Sequence, residues 1–301
     1  MDIDLKKLIE NIKKPTQPLH IKIVCDSGAF NGLYMYGTMI YLKKLEELNY
    51  IKVNKLSGSS IGSFLAFCYL TDNLTVLLKL YPKLRKKYRL NHNLSYWKKT
   101  IKKFFKSLPD NIHEVVNDKL YINYYNLETH SEQIKHNFNS KEEIKNTILY
   151  SSFVPYFMNG KMSYKGNIDG FNPYIFKNRT IDDGKILFIH LNHLNKLKKS
   201  FHVKGEVNPD NRILEGILET HKLFTNTTSN LCSWINNWGV KEYFFLRIRQ
   251  IIWLLIVYIL YFIQKYQYLI PDSIYSNKIF IFGQNFLSKL YHDLFVVVYN
   301  S

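Results

Sequence analysis

The sequence predicts an α/β fold with a mainly parallel central sheet and a helical C-terminal extension. A strand–loop–helix pattern runs twice between His20 and Leu70, a further buried strand follows at Lys185–Leu191, and an apolar run lies near the C-terminus. With 301 residues and 46% hydrophobic content, the chain can fill the core of one large domain or two small ones. Lys and Arg number 41 against 24 Asp and Glu, a net charge of +17, which favours an anionic partner: a lipid surface or nucleic acid. Cys25, Cys68 and Cys232 lie far apart without a CxxC pair, which predicts a reducing, cytoplasmic setting rather than a disulfide framework.

Met1–Lys14 alternates Leu5, Leu8, Ile9 and Ile12 with Lys and Glu, a short amphipathic helix without the unbroken apolar stretch of a secretory signal. His20–Cys25 is a β-branched, apolar strand that stops at Asp26-Ser27-Gly28. Met35, Met39, Leu42 and Leu45 then recur at helical spacing. Tyr50–Leu56 is a second strand, and Ser57–Ser63 leads into the apolar helix Phe64–Leu70.

From Lys79 to Lys106 there are eleven Lys or Arg and no acid. Within this insert Trp97, Ile101, Phe104, Phe105 and Leu108 share one helical face, and Lys98, Lys99, Lys102, Lys103 and Lys106 take the others. Two readings are open: a helix packed on the core with a solvated Lys face, or a membrane contact through Trp97, Lys98, Lys102 and Phe105. Asn111–Glu143 reads as loop and irregular structure, and a helix follows over Lys141–Tyr150. Asn208-Pro209-Asp210 opens another helix. Ile251–Ile263 is apolar throughout, with Arg247 and Arg249 before it and Lys265 after it. As a helix it spans roughly 20 Å against the ~30 Å of a bilayer core, which leaves core, in-plane and single-span readings open.

Gly58-Ser59-Ser60-Ile61-Gly62 is a GxSxG sequence between a strand and a helix. There the glycines permit a turn that presents the serine hydroxyl at the sheet end. A serine needs a base to take its proton and donors for the oxyanion. Ser27-Gly28-Ala29-Phe30-Asn31-Gly32 follows the first strand and can turn backbone N–H groups to the same edge. It lacks the Lys-Ser/Thr ending of a nucleotide-binding loop.

These segments, with Asn167-Ile168-Asp169-Gly170-Phe171-Asn172-Pro173 and Ser151-Ser152-Phe153-Val154-Pro155, resemble the patatin-like phospholipase family. That family pairs a Gly-rich loop and a GxSxG with a distant Asp-Gly. The resemblance covers about His20–Leu70 and Ile144–Leu223. It implies a three-layer α/β/α sandwich and a phospholipase or lysophospholipase with a Ser60–Asp169 dyad. Gly28 and Ala29 would supply the oxyanion donors, with Ser27, Gly32, Gly58, Gly62 and Gly170 shaping the motifs. The chain departs from the family pattern at Ala29 (usually Gly), at Asn31 (usually Arg or Lys) and at Phe171 (usually Gly). Arg at position 31 is expected to raise turnover or leave it unchanged.

The residues leave other bases open: Asp183 of Asp183-Gly184, and a Ser-His-Asp triad through His190, His193, His202 or His221. No His/Glu cluster has zinc spacing, so neither metal nor cofactor is expected. The expected organisation is an N-terminal helix (1–19), a hydrolase domain (20–223) with a basic insert (79–110), and an aromatic C-terminal region (224–301). The expected partners are an acyl-lipid substrate and a membrane surface. The absence of a zinc-finger or RNA-binding motif argues against nucleic acid. A catalytically silent relative serving in membrane attachment is the alternative.

Overall fold

The computed structural model describes residues 4–91, 93–177, 184–192 and 208–266. Asp182, Asp183, His193 and His202, and the C-terminal region beyond 266, lie outside the described residues.

A seven-stranded sheet flanked by helices organises the chain. Strands β1 (Leu19–Cys25), β2 (Ile51–Gly58), β3 (Leu120–Asn126) and β6 (Lys185–Ile189) form a parallel centre in the order β3-β2-β1-β6. β4 (Ser131–Lys135) and β5 (Asn167–Asp169) pair antiparallel with β3, and β7 (Cys232–Trp234) pairs antiparallel with β6. The chain leaves β1 towards β2 on one side and later adds β6 on the other. The carboxyl end of β1 is therefore the switch point at which open α/β sheets form their crevice.

Alternation places Ile21, Ile23 and Cys25 of β1 in the larger core, with α2 (Gly32–Glu47) and α3 (Ile61–Leu70). Val24 faces the opposite way, into a smaller cluster with Phe176, Phe188 and Ile235. Helices α1 (Leu5–Glu10), α6 (Ile112–Val116), α7 (Lys141–Ser151) and α8 (Asp210–Phe224) complete the layers around this core. Asn111–Glu143, expected to be irregular, contains α6 and the β3–β4 hairpin. β4 reads Ser-Glu-Gln-Ile-Lys, an edge strand with no buried residue and hence no apolar alternation to detect.

The basic insert forms α4 (Val76–Asn91) and α5 (Ser95–Lys106). Trp97 and Phe105, expected as membrane contacts, are instead buried. Trp97 stands edge-on to Phe64 and its Nε1 donates to Ser152 Oγ at 2.8 Å, while Phe105 stacks on Phe67. Burying aromatic surface against the core outweighs exposing it, so the packed-helix reading holds for this face. Lys98 lies over the Tyr164 ring at 4.0 Å, and Lys102 is exposed. The apolar run near the C-terminus belongs to one 27-residue helix, α9 (Val240–Tyr266), that takes Arg247 and Arg249 into its length.

Candidate active site

β2 ends at Gly58 and α3 starts at Ile61, so the chain reverses over two residues. A side chain on Gly58 would meet the Gly62 carbonyl carbon at 2.5 Å, and one on Gly62 would meet Cys25 O at 2.5 Å. Backbone blocks both positions, which is why the turn demands glycine on each side. Ser60 caps α3 at φ 55° and ψ −126°, a strained conformation for a residue with a side chain. Its N–H donates to Ser151 O and to Ser151 Oγ, both at 3.0 Å. This gives the Ser-rich segment before Pro155 a function that sequence reasoning missed: it holds the turn.

Asp169 ends β5, whose pairing with β3 sets Asp169 opposite Tyr124. Its carboxyl is buried, accepts from Ser59 Oγ at 3.2 Å and from the Phe171 N–H at 2.7 Å, and shares a cavity wall with Ser60. Burial raises its pKa to about 6; the Phe171 N–H and the neighbouring Ser60 and Ser59 hydroxyls oppose that rise, and the nearby Asp26 adds to it. Ser60 therefore stands on one cavity wall with a buried carboxyl group whose pKa is raised towards neutral pH. His190 reaches the same cavity, but its Nε2 pairs with Ser233 Oγ at 2.7 Å, and His221 pairs with the Tyr41 hydroxyl at 2.8 Å.

Gly28 and Ala29 open the turn into α2 and line the cavity beside Ser60. Among the described residues neither amide has a hydrogen-bond acceptor. The loop carrying them is held at several points. Asn192 Nδ2 donates to Ser27 O and Oγ, and Asn31 Nδ2 donates to Leu191 O at 3.0 Å. Arg212 of α8 donates through Nη1 to Phe30 O and to Asn31 Oδ1, each at 3.1 Å. Gly32 and Gly170 lie at the same motif turns; Gly170 packs against the Asn123 backbone.

Helix α9 supplies what the sequence did not disclose. Arg249 forms a bidentate pair with the fully buried Asp26 and also donates to Asn172 Oδ1. Trp253 stacks on Phe171 with ring centres 5.0 Å apart. Phe171, where the resembled motif carries glycine, sits at φ 58°, so stacking on α9 holds a side chain in a backbone region that disfavours one. Together α9, α4 and α5 wall a cavity of about 760 Å³ that reaches Ser60 and Asp169. Leu77, Tyr81, Leu84 and Trp97 give the insert side of this wall its apolar character.

Neither a family model nor a curated protein matches the chain. Among solved structures, the crystal structure of VipD from Legionella pneumophila is similar at 14% identity and a TM-score of 0.32, over 62% of this chain and 55% of that one. The chain thus spans about half the length of that protein, and likeness at this level supports no functional argument.

Proposed function

We propose that the protein is a serine acyl-ester hydrolase that acts on acyl lipids of the phospholipid or lysophospholipid type. The observation that carries this reading is the placement of Ser60, held in a strained strand-to-helix turn, on the wall of the same apolar cavity as the buried Asp169. The Ser60 oxygen bonds to the acyl carbonyl carbon as its proton passes to Asp169, and the carbonyl electron pair moves onto oxygen, facing the Gly28 and Ala29 amides. Collapse of this oxyanion breaks the ester C–O bond, and the departing alkoxide takes the proton from Asp169. Water then attacks the acyl-Ser60 carbonyl while Asp169 accepts its proton, and return of that proton to Ser60 releases the fatty acid.

Several features favour a long apolar acyl group as substrate. The cavity lies within the ~300–1,000 Å³ range of small-molecule sites. Its wall is dominated by aliphatic and aromatic side chains from α4, α5 and α9. The basic balance of the chain, +17, suits an anionic lipid surface.

A fluorophosphonate probe tests the nucleophile, because it forms a stable adduct only with an activated serine. Mass spectrometry is expected to find the adduct on Ser60 in the wild-type protein and none in Ser60→Ala. Failure to label the wild type would instead favour a silent protein that keeps this architecture for membrane attachment.

A further inference from the structure

We infer that α9 lies flat in the headgroup region of an anionic bilayer and sets the mouth of the cavity at the lipid surface. This inference deepens the reading of the site as a lipid acyl hydrolase and rests on it.

The helix has two unlike sides. Towards the domain, Trp253, Ile256 and Val257 are buried and Arg249 is locked to Asp26 and Asn172. The Tyr258 hydroxyl pairs with Tyr125 at 2.6 Å and His130 at 2.9 Å. Away from the domain, Phe244, Ile251, Leu255 and Phe262 recur at intervals of seven, four and seven, so they form one stripe, and all are exposed. Phe245 and Ile252 stand beside the stripe, 69% and 50% exposed, and both line the cavity that holds Ser60. The apolar surface is thus continuous from the outer stripe, over the rim, to the catalytic serine.

This continuity identifies the occupant. A second copy of the chain or a protein partner seated on the stripe would cover the rim, whereas a lipid surface delivers acyl chains to it. Lys241, Arg247 and Lys265 flank the stripe, and Glu242 is the helix's sole acid, a pattern that complements anionic headgroups. Over Val240–Phe262 the helix is long and apolar enough to cross a membrane. A spanning position would nevertheless draw the Asp26–Arg249 pair and the Tyr258 contacts into hydrocarbon or break them. A flat helix buries its apolar face ~5–10 Å into the boundary and keeps both sets of contacts.

The test uses the full chain and a triple variant, Phe244→Gln, Ile251→Gln and Leu255→Gln, none of which lines the cavity. Flotation with phosphatidylcholine–phosphatidylserine vesicles reads binding, and hydrolysis of a soluble short-chain ester reads the site. The expected result is vesicle binding weakened about tenfold or more, with ester hydrolysis within about twofold of wild type. Bound wild-type protein should be released by alkaline carbonate. Undiminished flotation of the variant would overturn the inference. So would retention of the wild type after carbonate, which marks a spanning helix, or a switch from dimer to monomer with binding unchanged. Flotation of a wild-type protein that does not cleave the ester would count against the hydrolase reading alone.

Discussion

Arg249 grips both carboxylate oxygens of Asp26, Nη1 to Oδ2 at 3.0 Å and Nη2 to Oδ1 at 2.8 Å, and so ties α9 to the loop that carries Gly28. Asp26 is fully buried and also accepts the Ser27, Leu191 and Asn192 amides, so its charge is satisfied from both ends. Removing only the guanidinium strands a buried carboxylate. Arg249→Met is expected to cost about 3–5 kcal/mol, read by chemical denaturation, with Asp26→Asn recovering part of the loss in the double variant. Arg249→Lys should recover less, since an ammonium cannot span two carboxylate oxygens and Asn172 in one plane.

The raised pKa of Asp169 makes a signed prediction about rate. As the proposed base, Asp169 must be ionised, so kcat/KM is expected to rise with pH through about 6 and then level off. A pH–rate profile with no inflection in that region would assign proton transfer to another group.

The same shift predicts a stability trend. Between the ordinary value of 3.8 and about 6 the folded chain keeps a proton that the unfolded chain has released, so Asp169 lowers stability as pH rises through this window. At neutral pH that cost is about 3 kcal/mol, from ~1.36 kcal/mol per pH unit. Asp169→Asn keeps an oxygen for the Ser59 and Phe171 bonds and loses the charge. Its Tm should exceed that of the wild type near neutral pH, and the gap should close below about pH 4.

Much of this site was legible because its signals are local. GxSxG sits between a recognisable strand and helix, and Asp169-Gly170 falls in a short conspicuous segment. The contribution of α9 was not legible, since Arg249 lies 223 positions from the Asp26 it pairs with, and on sequence it looked like the flank of an apolar run. The β3–β4 hairpin was obscured by its composition. β3 buries Asn123 among its apolar positions, and β4 has no apolar face.

Asn31 illustrates how packing reverses an expectation drawn from a motif. The residue is fully buried, and Arg212 already delivers a guanidinium to its Oδ1 and to the Phe30 carbonyl. Asn31→Arg would therefore press two cations together without solvent. The expected outcome is lower stability and lower turnover rather than a gain, measured by thermal melting and ester hydrolysis. Arg212→Met should loosen the loop and reduce kcat more than it raises KM.

Strain at Ser60 gives a further check. Ser60→Gly removes the side chain from a conformation at φ 55° that costs ~1–3 kcal/mol, whereas Ser60→Ala retains a Cβ there. Both should abolish hydrolysis, and the Gly variant should melt at the higher temperature.

The most direct test is release of fatty acid from defined phospholipid and lysophospholipid vesicles by the wild-type protein, Ser60→Ala and Asp169→Asn under the same conditions. The expected result is release by the wild type and loss of nearly all of it in each variant, because a nucleophile and its base act as a unit. Full release by either folded variant would contradict the Ser60–Asp169 assignment.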